Sequence, residues 1–238
     1  MKAIILAAGL GTRLLPLTKD KPKALIQVQG KPLLQHQLEK LKSAGFSKIL
    51  INIHHFGDQI VDFLDKHNAF GMDIEISDER SALLDTGGAL RKAAHFIRGD
   101  EPVLIHNVDV LSTLSFEDMF NNHKLRAACA TLAVRNRASS RYLYFDEHNQ
   151  LRAWENIKTG EKKGDWTSAQ LLEAAFSGIH ILSPYCVDLF PDKPAFSIID
   201  FYISLIDSHI VSGYFHDNSV WLDVGKPETL IEAEKLNL

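Results

Sequence analysis

The chain has 238 residues, 45% of them hydrophobic and 24% charged, with a formal net charge of −4 at pH 7. That is enough chain to bury a substantial core without disulfide staples, in one large or two small domains. The charge balance argues against a protein that holds nucleic acid by bulk charge, and no apolar run reaches the roughly 18 residues of a membrane span.

Short apolar runs alternate with helical patterns. KAIILAA (2–8) reads as a strand. It is too short an apolar run for a signal peptide, so a cytoplasmic protein is expected. PLLQHQLEKLKSAG (32–45) places Leu34, Leu38 and Leu41 on one helix face, and Gly45 ends it. KILINI (48–53) is a strand, DQIVDFLDKH (58–67) a helix and MDIEIS (72–77) a strand. GGALRKAAHFI (87–97) reads as a helix opened by two glycines, and PVLIHN (102–107) as a strand. Strand and helix in alternation predict βαβ units around a mostly parallel sheet. In such sheets ligands bind outside the carboxyl ends of the strands.

The second half changes character. FEDMFNNHK (116–124) predicts a helix capped by Ser115, and ACATLAV (128–134) a strand. YLYF and LRAW predict a hairpin turning at 146–150. The polar stretch 156–170 reads as a loop. AAFSGIHIL (174–182) is a strand, SIIDFYISLIDSH (197–209) a helix, VWLDVG (220–225) a short strand and turn, and PETLIEAEKL a last helix with Pro227 in its first turn. No repeat or rich linker divides the chain. A single domain is expected over 1–238, with residues 1–110 as its nucleotide half and 111–238 as the half that completes the site. Cys129 and Cys186 lie in apolar surroundings outside any CxxC and read as reduced, buried thiols. The eleven histidines show no ligand spacing and read as structural or surface groups.

The stretch after the first strand carries the chemistry. ILAAGLGTRLLPLTKDKPKALIQVQGKP opens with Gly9 and Gly11 at a strand's carboxyl end, where glycine lets backbone N–H groups approach phosphate. It is neither a dinucleotide fingerprint nor a Walker A loop, because Leu14 stands where each needs glycine. Arg13 can grip phosphate oxygens with its planar fork, and Lys23 adds a point charge from the far end of the loop.

LAAGLGTRLLPLTKDKPKALI resembles the signature of the sugar-1-phosphate nucleotidyltransferases. LLDTGGALRKA (83–93), VLIHNVDVL (103–111) and VWLDVGKPETLIEAE (220–234) agree with that family in order, so the resemblance spans nearly the whole chain. It is nearest to the short members, among them N-acetylmuramate-1-phosphate uridylyltransferases and mannose-1-phosphate guanylyltransferases.

The resemblance implies an α/β fold, Rossmann-like and doubly wound, with a mostly parallel central sheet and flanking helices. It implies transfer of a nucleoside monophosphate from a nucleoside triphosphate, UTP or GTP favoured, to a sugar 1-phosphate. By the same resemblance Arg13 and Lys23 are catalytic. Leu6, Ala8, Gly9, Gly11, Thr12, Asp85, Gly87, Gly88 and Asn107 line the nucleotide, with Thr86 beside them or capping the helix. Gly178, Glu173 and Asn156 are candidates for the sugar, and Asp109 and Asp223 hold Mg²⁺. The expected partners are the two substrates, with no nucleic acid or membrane, in a monomer or small homo-oligomer. One departure stands out. Val108 occupies a position where the family usually has glycine, which narrows the site, shifts the nucleotide, or is absorbed locally. Two other readings remain: a non-catalytic nucleotide-sugar-binding subunit, and a cytidylyltransferase for a non-sugar phosphate such as phosphocholine.

Overall fold

Runs of β-branched and aliphatic residues with no polar alternation suit strands buried on both faces, and they decide the architecture. The computed structural model describes residues 1–168 and 170–236. Along the chain come β1 (Lys2–Leu6), β2 (Gln27–Val28), β3 (Lys31–Pro32), α1 (Leu33–Ser43), β4 (Lys48–Ile53), α2 (Gly57–Lys66), β5 (Asp73–Asp78), α3 (Asp85–Lys92), α4 (Ala94–Ile97), β6 (Val103–Asn107) and β7 (Val110–Ser112). There follow α5 (Phe116–Leu125), β8 (Ala130–Arg135), β9 (Arg141–Phe145), β10 (Leu151–Asn156), β11 (Glu161–Gly164), β12 (Leu172–Leu182), α6 (Ile198–Ser204), β13 (Val211–Phe215), β14 (Trp221–Asp223) and α7 (Pro227–Ala233). The fold is α/β, with a mostly parallel sheet at its centre and flanking helices, as expected.

Two compact units divide the chain. The first comprises Met1–Leu84, Val103–Leu114 and Val220–Leu238. Its sheet runs β6-β1-β4-β5, parallel throughout. Ile5, Ile49, Leu50, Ile51, Leu104 and Ile105 are fully buried in it. On α1, Leu34, Leu38 and Leu41 form the buried stripe that their spacing predicted. A second, smaller core joins Ile26, Val28, Leu33, Leu111, Leu222, Val224 and Ala233. It packs beneath an antiparallel ribbon of β7 and β14 in which Asp223 faces Val110. The segment from Val220 thus belongs with Met1–Leu84 and Val103–Leu114 in the first unit.

The second unit comprises Asp85–Pro102 and Ser115–Ser219. Its sheet runs β11-β10-β9-β12-β8-β13 and is antiparallel except where β13 joins β8. The predicted hairpin is there, closed by Asp146 N–H donating to Gln150 O at 3.0 Å. Ser115 caps α5, its Oγ accepting from Asp118 N at 3.2 Å.

Four expectations change. The helix read over 87–97 starts at Asp85 and breaks at Ala93 into α3 and α4. The helix read over 197–209 ends at Ser204, where irregular turns take over. The loop read over 156–170 contains β11, whose Lys-rich sequence hides its pairing with β10; its Ala169 lies outside the described residues. Cys129 and Cys186 are paired as a disulfide with Cα atoms 6.2 Å apart, rather than standing as separate thiols. Their separation of 57 residues conceals this, since β8 and the turn after β12 bring them together only in the fold. β13, in HIVSGYFH, was not anticipated either, because Gly213 interrupts a short run. There a Cβ would strike the Phe145 ring at 2.8 Å.

Candidate active site

The carboxyl ends of three parallel strands of the first unit meet at one place. Leu6 of β1 is in register with Asn52 of β4 and with Asn107 of β6. Asn52 is buried, and its Oδ1 accepts from Ala7 N at 2.6 Å while its Nδ2 donates to Glu79 Oε1 at 2.9 Å. It thus fixes the chain where β1 turns into the glycine-rich loop. Ala8 is buried and Gly9 exposed. Gly11 adopts φ 65°, a left-handed conformation that a side chain would strain. A Cβ there would also lie 2.9 Å from Thr18 Cγ2 and 3.3 Å from Lys23 Cβ. Thr18 Oγ1 donates to Gly11 O at 2.9 Å and pins the loop from its far side. The backbone N–H groups of Gly9, Leu10 and Gly11 donate to nothing among the described residues. Successive free N–H groups on such a turn are the donors an anion takes.

Thr12 and Arg13 open a short 3-10 turn, both exposed, while Leu14 anchors it in the core. Lys23 opens a second such turn and is only 8% exposed. Its Nζ donates to Asp109 Oδ2 as an ion pair. Asp109 lies between β6 and β7, and its carbonyl accepts from Val224 N at 2.8 Å. That bond places Asp223, the neighbour of Val224, beside Asp109 at the end of the ribbon. Gly225 closes the arrangement: a Cβ there would sit 2.6 Å from Asp223 Oδ1 and 2.9 Å from an Arg13 Nη atom. Two cations and two carboxylates therefore converge within one unit, brought close by Gly11 and Gly225.

Burial alone pushes the Lys40 ammonium down to about 8. Burial, with the Lys40 charge adding to it, pushes His106 down to about 3, so this imidazole is neutral at physiological pH. Val108 is 4% exposed and its N–H donates to Leu6 O at 3.1 Å. Its side chain is packed into protein.

The remaining predicted residues belong to the second unit. Asp85 begins α3 with φ 60°, and its Oδ1 accepts from Thr86 N at 2.6 Å. Thr86 is not the helix cap; its Oγ1 accepts from Ile198 N at 3.0 Å. Gly87 was expected to lie against a base. Its N–H donates to Phe196 O at 2.8 Å, and a Cβ would collide with the Phe196 ring. Its smallness serves that packing. Gly88 is buried beside it. Glu173 accepts from Tyr144 Oη at 3.0 Å, and Glu155 accepts from the same hydroxyl at 2.9 Å. Burial and these two carboxylates push the Tyr144 phenol up. Asn156 Oδ1 accepts from Lys158 N at 3.1 Å and so closes its own turn. Gly178 has φ 74° at the bulge in β12.

Sequence reasoning missed Asn52, Thr18 and Gly225. Asn52 is a polar residue at the end of an apolar strand, a signal that was visible in KILINI. The roles of Thr18 and Gly225 are set by contacts between distant segments.

The model of the family described as nucleotidyl transferase matches residues 2–238. The chain belongs to that family. Among its relatives, the N-acetylmuramate alpha-1-phosphate uridylyltransferase of Neisseria meningitidis serogroup B is 34% identical over 239 residues, 99% of this chain and 98% of that protein. The protein of the same name from Caulobacter vibrioides is 30% identical, over 98% of this chain and 95% of its own length. The mannose-1-phosphate guanyltransferase of Debaryomyces hansenii is 29% identical, and the match spans 65% of that longer protein. Two solved structures share the family's fold. HddC of Yersinia pseudotuberculosis, solved with GMP-PN, superposes with a TM-score of 0.76 at 23% identity, over 98% of both chains. A UDP-glucose pyrophosphorylase from Acinetobacter baumanii superposes with a TM-score of 0.78 at 18% identity, over 98% of this chain and 91% of that one.

Proposed function

We propose that this nucleotidyltransferase moves a nucleoside monophosphate from a nucleoside triphosphate to a sugar 1-phosphate. The convergence of Arg13, Lys23, Asp109 and Asp223 around two glycines carries the proposal. An oxygen of the sugar phosphate attacks the α-phosphorus in line. The new P–O bond forms as the bond to the β-phosphate oxygen breaks, and pyrophosphate leaves with that electron pair. The nucleophile is already an anion, so no proton need be removed, and catalysis reduces to positioning and electrostatics.

The free N–H groups of the loop and Thr12 cradle the triphosphate, and Arg13 neutralises the departing pyrophosphate. Lys23 holds the α-phosphate and the incoming sugar phosphate. Leu6, Ala8 and Asn107 line the nucleotide at the strand ends, and Asp85, Gly87 and Gly88 are assigned to the base. Glu173 and Gly178 are assigned to the sugar, with Asn156 a weaker assignment because its side chain is committed to a turn.

Two carboxylates on segments joined by the Val224 N–H to Asp109 O bond suit a hard divalent cation that takes its other ligands from phosphate oxygens. Among the described residues no group of three or more His, Cys, Asp or Glu could hold a metal without substrate. Asp109 and Asp223 would therefore hold Mg²⁺ with the nucleotide. When bound, it screens phosphate charge and offsets the charge that builds on pyrophosphate. Among the described residues no helix is long and apolar enough to cross a membrane. We place the reaction in the cytoplasm, in a monomer or small homo-oligomer.

The two uridylyltransferase relatives match along nearly their whole lengths, which favours UTP and an N-acetylated hexose 1-phosphate as the first pair to try. The test is pyrophosphate release with Mg²⁺ across five nucleoside triphosphates and a panel of sugar 1-phosphates. Release with one pair is expected. Silence throughout, with nucleotide still bound, would overturn the catalytic reading.

A further inference from the structure

A two-stranded ribbon has two bare edges, and β7 carries Asp109 at its entry. Alternate residues of an antiparallel strand point their backbone groups toward and away from the partner. Asp109 O accepts from Val224 N, and Thr113 N donates to Val220 O at 3.0 Å, so the odd-numbered residues of this segment face β14. The carbonyls of Val110 and Ser112 therefore point to the opposite edge, where no strand pairs with them. Helix α1 supplies the donors instead. Gln37 Nε2 donates to Val110 O and Lys40 Nζ donates to Ser112 O. Three residues apart on one helix face, they meet two carbonyls two residues apart on one strand edge. A cavity of about 500 Å³ borders the same edge, lined by Gln37, Lys40, Leu111 and Ser112 among others.

Neither side chain is a cheap way to fill a core. Gln37 is 2% exposed, and its Oε1 is buried with no hydrogen-bond partner among the described residues. A buried, unmet amide oxygen is unfavourable. Lys40 is half-buried, and its ammonium loses part of its water. Methionine would fill either volume at lower cost, so the two donors answer to something other than packing.

We infer that Gln37 and Lys40 are positioning residues: by gripping the free edge of β7 they set the spacing and aim of Asp109 and Asp223. The inference rests on the reading of those two carboxylates as metal ligands. It extends that reading to a helix that touches no substrate. Groups behind metal ligands are worth about 10- to 100-fold in affinity.

The test titrates Mn²⁺ by electron paramagnetic resonance against the full chain holding a non-hydrolysable UTP analogue. Hydrogen exchange at the Val224 and Thr113 amides is followed in parallel. In Gln37→Met and Lys40→Met, Mn²⁺ binding is expected to weaken about tenfold, with exchange at Val224 accelerated. Metal-free affinity for the analogue stays unchanged, and Lys40→Arg, which keeps a donor, stays near the wild type. Wild-type Mn²⁺ affinity in both methionine variants overturns the inference, whatever their melting temperatures do. A wild-type chain that takes up no Mn²⁺ beside the analogue overturns the two-carboxylate reading, and this inference with it.

Discussion

The phosphate-type loop of the first unit and two buried histidines of the second handle polarity in opposite ways. In the first, charged side chains stand at strand ends with a single protein partner or an open side: Lys23 against Asp109, Arg13 beside Gly225, three loop N–H groups bonded to nothing among the described residues. In the second, two buried histidines are neutral rings occupied on both nitrogens. His123 has Thr131 Oγ1 at 2.8 Å on one ring nitrogen and Ser183 Oγ at 3.0 Å on the other. His216 is held the same way, by Ser219 Oγ at 2.7 Å and Ser177 Oγ at 2.7 Å. A charge with one partner can exchange it for a ligand. A ring saturated on both nitrogens holds strands together and has nothing left to offer. Polarity near a core therefore signals function only where satisfaction is incomplete.

Breaking the first pattern should have the largest effect. Lys23→Ala and Asp109→Asn are each expected to lower turnover at least about a hundredfold, the scale of losing one preorganised electrostatic contact. Denaturation midpoints should move little. Near-normal turnover in either variant would remove that residue from the mechanism. Gly225→Ala comes next. The new methyl group would press on Asp223 Oδ1 and on Arg13, and both must shift. Loss of roughly tenfold in kcat is expected for a displaced catalytic group, with the far-ultraviolet spectrum unchanged. Full activity would show that the Asp223 and Arg13 positions are not coupled.

Much of the first unit was legible because three of its strands are local runs: KAIILAA, KILINI and PVLIHN are largely buried on both faces and carry no competing pattern. The loop residues Gly9, Gly11, Arg13 and Lys23 were legible for a related reason, since their spacing is set within one short segment. The second unit was harder. β11 is Glu161–Gly164, a charged tetrapeptide that becomes a strand only because β10 offers it an edge. Glycine at a helix start serves ligand and protein alike, and for Gly87 only the fold shows Phe196 against it. The grip of α1 on β7 was invisible for the same reason. Gln37 and Lys40 lie 73 and 72 residues from the carbonyls they hold.

The second unit's neutral networks sharpen the comparison from the other side. His216→Ala removes the ring that joins the Ser177 and Ser219 hydroxyls and is expected to cost about 1–3 kcal/mol of stability. Turnover per folded molecule should be unchanged. A kcat defect matching that of Lys23→Ala would dissolve the distinction between the units.

The smallest effect is a pH dependence. Burial, helped by the Lys124 charge, lowers the His123 pKa from 6.5 to about 4. Between those values the unfolded chain takes up a proton that the fold refuses. The unfolded state then binds more protons, so stability rises with pH across the window and is lost as pH falls from 6.5 toward 4. The slope is at most about 1.4 kcal/mol per pH unit for one such group. His106, lowered to about 3 mainly by burial, adds a slope of the same sign from the first unit. Urea midpoints at pH 7 and pH 5 for the wild type and His123→Gln separate the two. Glutamine cannot titrate, so the variant should start less stable at pH 7 and lose less on acidification. An equal loss in both proteins would assign the acid sensitivity to His106 and leave His123 charged or neutral alike in the folded and unfolded chains.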